Sequence, residues 1–517
     1  MKEIELFLEL LVVVALVATV ARRLGVPYAI PMVVGGLLLG FIPGLPRIVL
    51  TPDLVLLIFL PPILFSAAYT TSFRDLQANI KQIGQLAFVL VLITMAGVAV
   101  VAHWLVPEIG WPAAFALGAI VSPPDAISAT AIAQRVGLPR RAVIILEGES
   151  LVNDATALTA YRVAVAAAVG TSFAIGDAAL QLLVTLVGGI VIGLVVGWII
   201  TLVVNRLDDA PVETTVSLIA PFAAYLPAEQ LGVSGVLACV TAGLMLGRAA
   251  PTILSSQSRV LATSVWQMVI FLINAFVFVL IGLQLPAIAD SSAHSLSQFL
   301  LVGAAAAATV VVIRIAWVFI SSYGAAWLAR RHNGHRYPGW EGLLVLSWAG
   351  MRGSVSLAAA LALPAVPSFP GRELIIFAAF SVILVTLVGG GLTLPLLVRR
   401  LGFTGDPELG DEESHARQVA TEAALSRLIG LRDEWPDHIP LVDQLRQRYE
   451  HRTEHEQADP NDEEADQELI EHRQIRHEVI EAERLAVIHL RDIGEINDDV
   501  LRRLERELDL EELRMEA

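Results

Sequence analysis

The feature that most constrains this chain is hydropathy. Apolar blocks recur from residue 4 to residue 398, each of about twenty residues, long enough to cross a bilayer as a helix. Backbone polar groups in lipid must be satisfied within the segment, so such blocks fold as helices packed on helices. Thirteen blocks can be marked, at roughly 4–21, 28–46, 52–70, 83–106, 111–134, 142–170, 180–204, 212–227, 232–248, 263–288, 298–326, 340–364 and 372–398. The expected fold class is an all-α polytopic membrane protein of about 13 transmembrane helices. The first block follows no basic leader and precedes no small-residue cleavage site, so it reads as an uncleaved span.

Basic residues test this count. With the N-terminus outside, fifteen Lys and Arg fall on cytoplasmic flanks, and only Lys2, Arg47 and Arg372 fall outside. The expected topology is multi-pass in a plasma (inner) membrane, with a cytoplasmic C-terminal tail. Composition changes where the blocks end. Residues 401–517 carry 33 acidic and 14 basic residues, against 18 and 21 in residues 1–400. We therefore divide the chain into a membrane domain, 1–402, and an acidic, helical, regulatory tail, 403–517. Helical periodicity in the tail covers 413–432 and 465–515, with a polar linker near Ala458–Asp466. Seven of the eleven His lie in the tail; they read as solvated groups, with pH sensing as the alternative.

Several classes are disfavoured. The single Cys239 excludes an intrachain disulfide. No basic patch suggests nucleic acid. No Gly-rich phosphate loop, His/Cys metal spacing or Ser-His-Asp arrangement is present, so neither an enzyme nor a cofactor is expected. The lipid bilayer is the expected surroundings.

Against this background, charges inside the blocks stand out, because ionisable groups at that depth are costly. The sixth block contains Leu146-Glu147-Gly148-Glu149-Ser150-Leu151-Val152-Asn153-Asp154. On a helix Ser150 and Asp154 share one face, and Glu149 and Asn153 share another. Glu147 reads as interfacial. The fifth block holds Ser122-Pro123-Pro124-Asp125. Two prolines remove two backbone donors, so the helix must break there, with Asp125 at the break. The alternative is a plain kink with a capping Asp. The twelfth block holds Gly350-Met351-Arg352-Gly353, which predicts a second discontinuous helix whose carbonyl ends Arg352 compensates. The fifth and twelfth blocks are equivalent if blocks 1–6 and 8–13 form inverted repeats. Arg314, mid-block, needs a buried anion, and Glu149 is the best candidate. Arg162 is expected either to snorkel outward or to find a partner. Gly189, Gly193 and Gly197 allow close helix packing. Asn274 reads as an interhelical hydrogen-bonding group.

Gly148-Glu149-Ser150-Leu151-Val152-Asn153-Asp154, after a broken span ending in Asp, resembles the NhaP/NHE-type sodium/proton antiporters, the electroneutral branch of the monovalent cation/proton antiporters. Ser234 to Ala238, Asn274 to Gly282, Arg314 and Gly350 to Gly353 are also similar to that family. The resemblance covers nearly all of residues 1–400. It implies a thirteen-helix homodimer with a dimerisation domain and a mobile core. It implies that Asp154 alternately binds cation and proton, and that Asn153, Asp125, the Pro124 backbone and Ser150 help build the ion site. Asp154 and Asp125 would then be the ligands of a monovalent cation. It further implies a Glu149–Arg314 ion pair and Arg352 at the second break. Two departures are visible: Pro124-Asp125-Ala126 replaces the common Thr-Asp-Pro, and Ser66 stands where some members carry Glu. The expected function is exchange of Na+ for H+ by alternating access, electroneutral and one for one. A K+/H+ exchanger is the alternative within transport. A sodium-coupled organic-anion symporter is the alternative of another class.

Overall fold

The computed structural model describes residues 2–24, 29–41, 52–125, 140–170, 175–289, 296–333, 339–364, 369–402 and 407–456, with scattered positions between 479 and 511. Every regular element among them is helical. The chain divides into two units, Met1–Asp406 and Pro407–Ala517.

In the first unit the helices are α1 (Lys2–Leu24), α2 (Ala29–Gly40), α3 (Pro52–Thr70) and the short α4 (Phe73–Ala78). They continue as α5 (Ile80–Leu105), α6 (Gly110–Val121), α7 (Arg140–Ala168), α8 (Ile175–Val204) and α9 (Ala210–Gln230). Then come α10 (Gly235–Ile253), α11 (Ser256–Ala289), α12 (Leu296–Asn333), α13 (Trp340–Trp348) and α14 (Ser354–Leu361), and α15 (Arg372–Arg400). Six of the described helices are long and apolar enough to cross a membrane by length and composition. Two apolar blocks are interrupted. One helix stops at Val121, before Ser122-Pro123-Pro124; the rest of that block lies outside the described residues. The other divides into α13 and α14 around Gly350 and Gly353.

Polar side chains start helices where the chain re-enters the apolar layer. Asp209 accepts from the Val212 amide at the head of α9, and Ser234 accepts from the Leu237 amide at the head of α10. Each satisfies a donor that the first turn would otherwise leave open. The packing follows side-chain size. A Cβ at Gly189 or Gly193 would strike the carbonyl of Ser234 or Ala238, so these glycines let α8 lie directly on α10. Both α5 and α15 contain a π-helical turn, at Gln85–Leu90 and Val385–Gly389.

The apolar core has distinct parts. One joins α5, α6, α12, α14 and α15 through small residues such as Ala113, Ala306 and Ala378. A second joins α3, α8, α9 and α10. Helix α7 contributes to both, with Tyr161 and Ala164 in the first and Leu151 and Ala155 in the second. The sixth apolar block thus runs through the middle of the membrane unit.

The second unit contains α16 (Pro407–Glu434) and α17 (Ile439–Glu456), joined by a 3-10 turn at Pro436–His438. Arg427 forms a two-bond ion pair with Glu434 at 2.7 and 3.0 Å. Those hydrogen bonds hold the Glu434 carboxyl below the usual range. The expected linker and most of the expected helix over 465–515 lie outside the described residues.

Candidate functional site

Helical spacing sorts the polar groups of α7 onto different faces. Glu147, Ser150, Leu151 and Asp154 line a cavity of about 190 Å³. Facing them are Pro123, Pro124 and Asp125 from the first break, Gly353 and Ser356 from the second, and Ser66 and Thr70 from α3. Asp154 is only 4% exposed. Asn153 and Glu149, both fully buried, serve other contacts. The Asn153 amide donates to the Pro124 carbonyl at 3.3 Å, while its Oδ1 has no partner among the described residues.

Glu149 meets Arg314 of α12. The guanidinium donates to both carboxylate oxygens, at 2.6 and 2.9 Å. Neither side chain is more than 1% exposed. Arg314 also donates to the Ser347 carbonyl at 3.1 Å and the Leu346 carbonyl at 3.4 Å. Those are carbonyls of the last turn of α13, left open because the helix ends at Trp348. Charge and planar geometry let one Arg satisfy an anion and a helix end together.

Arg352 does the matching work across the crossing. Its guanidinium donates to the Val121 and Ser122 carbonyls, both at 3.1 Å, and to its neighbour Gly350. Val121 and Ser122 lie at the C-terminal end of α6, where the prolines stop the ladder. Ser122 itself donates from Oγ to the Ala119 carbonyl at 3.0 Å, an acceptor that Pro123 cannot serve. The Asp125 amide donates to the Met351 carbonyl at 2.7 Å, so the two breaks are stitched backbone to backbone. The Arg352 amide donates to Thr386 Oγ1 at 3.0 Å, in the π turn of α15. Glycine is required twice in this crossing. A Cβ at Gly350 would overlap the Arg314 guanidinium, and one at Gly353 would overlap the Asp125 carboxylate.

The structure therefore gathers Asp154, Ser150, Asp125 and Pro124 at one cavity, with Asn153 holding the Pro124 backbone. Glu149, Arg314 and Arg352 lie behind it, tying the helix ends. One expectation changes. Glu147, expected at the interface, lines the cavity; its spacing to Ser150 and Asp154 was the available signal. Of the two alternatives for Arg162, the structure shows the partner: it pairs with Glu229 of α9 at 2.7 Å, its side chain half exposed. Asn274 is buried, and its Nδ2 makes no hydrogen bond among the described residues. Thr386 was not foreseen, because nothing local in its sequence marks it as the acceptor of a distant amide.

The crossing offers carboxylate, hydroxyl and carbonyl oxygens in an otherwise apolar surround. That is a ligand set for a hard monovalent cation or a proton, at a site of the kind built by discontinuous membrane helices. Residues 11–400 match the family model described as "Sodium/hydrogen exchanger, transmembrane", and the chain belongs to that family. A Mycobacterium tuberculosis protein described as an uncharacterized Na+/H+ exchanger is 38% identical, covering 98% of this chain and 96% of its own. The sodium, potassium, lithium and rubidium/H+ antiporter of Bacillus pumilus is 31% identical, covering 82% of this chain and 66% of its own. The sodium/proton antiporter MjNhaP1 of Methanocaldococcus jannaschii shares the fold. Its structure matches with a TM-score of 0.60 and 22% identity, over 78% of this chain and all of its own.

Proposed function

We propose that this exchanger swaps one Na+ for one H+ by competition at Asp154. The observation that carries the reading is the single cavity lined by Asp154, Ser150, Pro124 and Asp125 where two broken helices cross. A carboxylate cannot hold a proton and a cation at once, so occupancy by one excludes the other and the two fluxes are coupled. Asp154 takes the cation with Asp125, Ser150 and the Pro124 carbonyl as companions. Asn153 fixes that carbonyl through its amide. Alternating access then exposes Asp154 to one side and the other, by movement of helices around the crossing. No bond-making chemistry and no cofactor are required.

The name of the Bacillus pumilus relative includes potassium, which supports K+ as a second cargo. We further propose a plasma-membrane protein with its N-terminus outside and its tail cytoplasmic, as a homodimer. The exposed apolar faces of α1 and α8, with Leu16 and Trp198, suit contact with lipid or a second copy. The tail regulates: truncation after Asp406 should leave exchange measurable and shift its pH dependence. Loss of exchange in a properly inserted truncation would refute that role.

Everted vesicles, scanned over Na+, Li+ and K+, test the central reading. Cation addition should dissipate a pre-formed pH gradient, and Asp154→Asn should insert normally and lose that response. A mutant that still moved protons on cation addition would sink the mechanism. A response requiring an organic anion would point to a symporter.

A further inference from the structure

A second cavity, of about 380 Å³, lies between α3, α9, α10 and α11. It shares three wall residues with the Asp154 cavity: Ser66, Thr70 and Ile270. The two spaces thus lie back to back across one patch of wall, and two of the three shared residues carry a hydroxyl.

The wall of the larger cavity contains one carboxylate, Glu213, near the head of α9. It is 2% exposed, and its Oε2 has no hydrogen-bond partner among the described residues. The neighbouring Thr214 is buried as well, and its Oγ1 also has no partner there. No Lys or Arg lines this cavity. A buried carboxylate oxygen without a donor is costly, and an ionisable group inside a membrane segment is a functional-site candidate. Helix capping does not explain it, because Asp209 already caps α9. The remaining walls include the Phe65–Trp266 stacked pair's Trp266, whose indole donates to Ser217. The hydroxyls of Ser66, Tyr69, Thr70, Ser258 and Thr263 and the amide of Gln267 complete the polar lining around Glu213 and Thr214.

We propose that Glu213, with Thr214, forms a second binding site for a monovalent cation, an antechamber from which the ion passes along the Ser66–Thr70 wall to Asp154. This deepens the reading of Asp154 as the transport site and rests on it. The carboxylate supplies the charge, and the hydroxyls replace part of the water shell. Its occupancy raises the local cation concentration beside the transport site, as a charged, low-dielectric cleft does for any ionic substrate. Glu213 itself is not carried through the alternating step.

Two measurements on reconstituted full-length protein decide the matter. The first is the Na+ dependence of exchange. Glu213→Gln should raise the half-saturating Na+ concentration by about tenfold, the loss of one modest charge contact, with a smaller change in the maximal rate. Glu213→Asp keeps the charge on a shorter stem and should shift half-saturation in the same direction by less. The second is equilibrium binding of radiolabelled Na+ to Asp154→Asn protein. Residual weak binding should persist there and disappear in the Asp154→Asn, Glu213→Gln double variant.

Unchanged half-saturation in Glu213→Gln, or no residual binding in Asp154→Asn, would overturn the antechamber and leave the Asp154 reading intact. Retained exchange in Asp154→Asn would instead overturn the transport site. If Glu213→Gln fails to insert, Glu213→Asp and the binding comparison between wild type and Asp154→Asn carry the same decision.

Discussion

Glu149 and Arg314 show how one residue pair limits what can change in the membrane interior. Each is buried to within 1%, and their two hydrogen bonds satisfy both carboxylate oxygens. Two charges taken out of water gain little net stability from each other, because desolvation offsets most of the attraction. Losing one partner is different, since the survivor remains buried and uncompensated. Glu149→Ala and Arg314→Ala should each cost about 3–5 kcal/mol, read as lower thermal stability in detergent. The double variant should lose less than the sum of the two. Strict additivity would mean that the pair contributes no coupling. This contact was legible in the sequence, because a mid-block Arg needs an anion and few were on offer. The two α13 carbonyls on the same guanidinium were not. They depend on where α13 ends, a detail of backbone geometry rather than of residue type.

Discontinuous helices set the next scale. Pro123 and Pro124 made the first break readable, because prolines remove donors wherever they fall. Gly350 and Gly353 made the second readable. What could not be read was the exchange of services between them. Arg352, in the second break, caps the end of α6 in the first, and Arg314 from α12 caps α13. These partners lie more than thirty positions apart, and they meet only because the two segments cross. The glycines let them meet closely. Gly350→Ala would drive a methyl group into the Arg314 guanidinium, and overpacking of that kind costs about 1–3 kcal/mol. Gly342→Ala in α13 is the matched control, because a Cβ there meets nothing within 4 Å. It should be neutral or stabilising by up to about 1 kcal/mol, the helix-propensity gain. Thermal melts of both variants check the contrast. Equal destabilisation would show that the crossing tolerates a Cβ and that the close approach is incidental.

At the scale of the whole molecule, the apolar blocks marked segments that the structure shows as helices, and the chain divides into two units at Asp406. Hydropathy reports burial in lipid, so it finds helices well and says nothing of which helices touch. That is why hydropathy singles out Asp154 but not the walls that Ser66, Thr70, Gly353 and Ser356 add to its cavity; the other members of the site came from the family resemblance. The charge inventory of that cavity governs how the molecule couples to voltage. One cycle moves one positive charge each way if Asp154 alone alternates between Na+ and H+, because Asn153 adds no titrating group. Asp125 must then keep one protonation state throughout. Its carboxylate lies against Gly353, immediately before the first turn of α14. Glu147, on the cavity wall, must also hold its state. Carrying one net charge across a membrane would cost or release about 2.3 kcal/mol per 100 mV, so an electrogenic cycle would be strongly biased by potential. Proteoliposomes with a fixed pH gradient, clamped at several K+-valinomycin potentials, separate the cases. The final Na+ gradient should match the pH gradient at every potential. If it shifts with voltage, Asp125 or Glu147 carries a second proton and the single-site scheme is wrong; restored voltage independence in Glu147→Gln would identify Glu147 as that group.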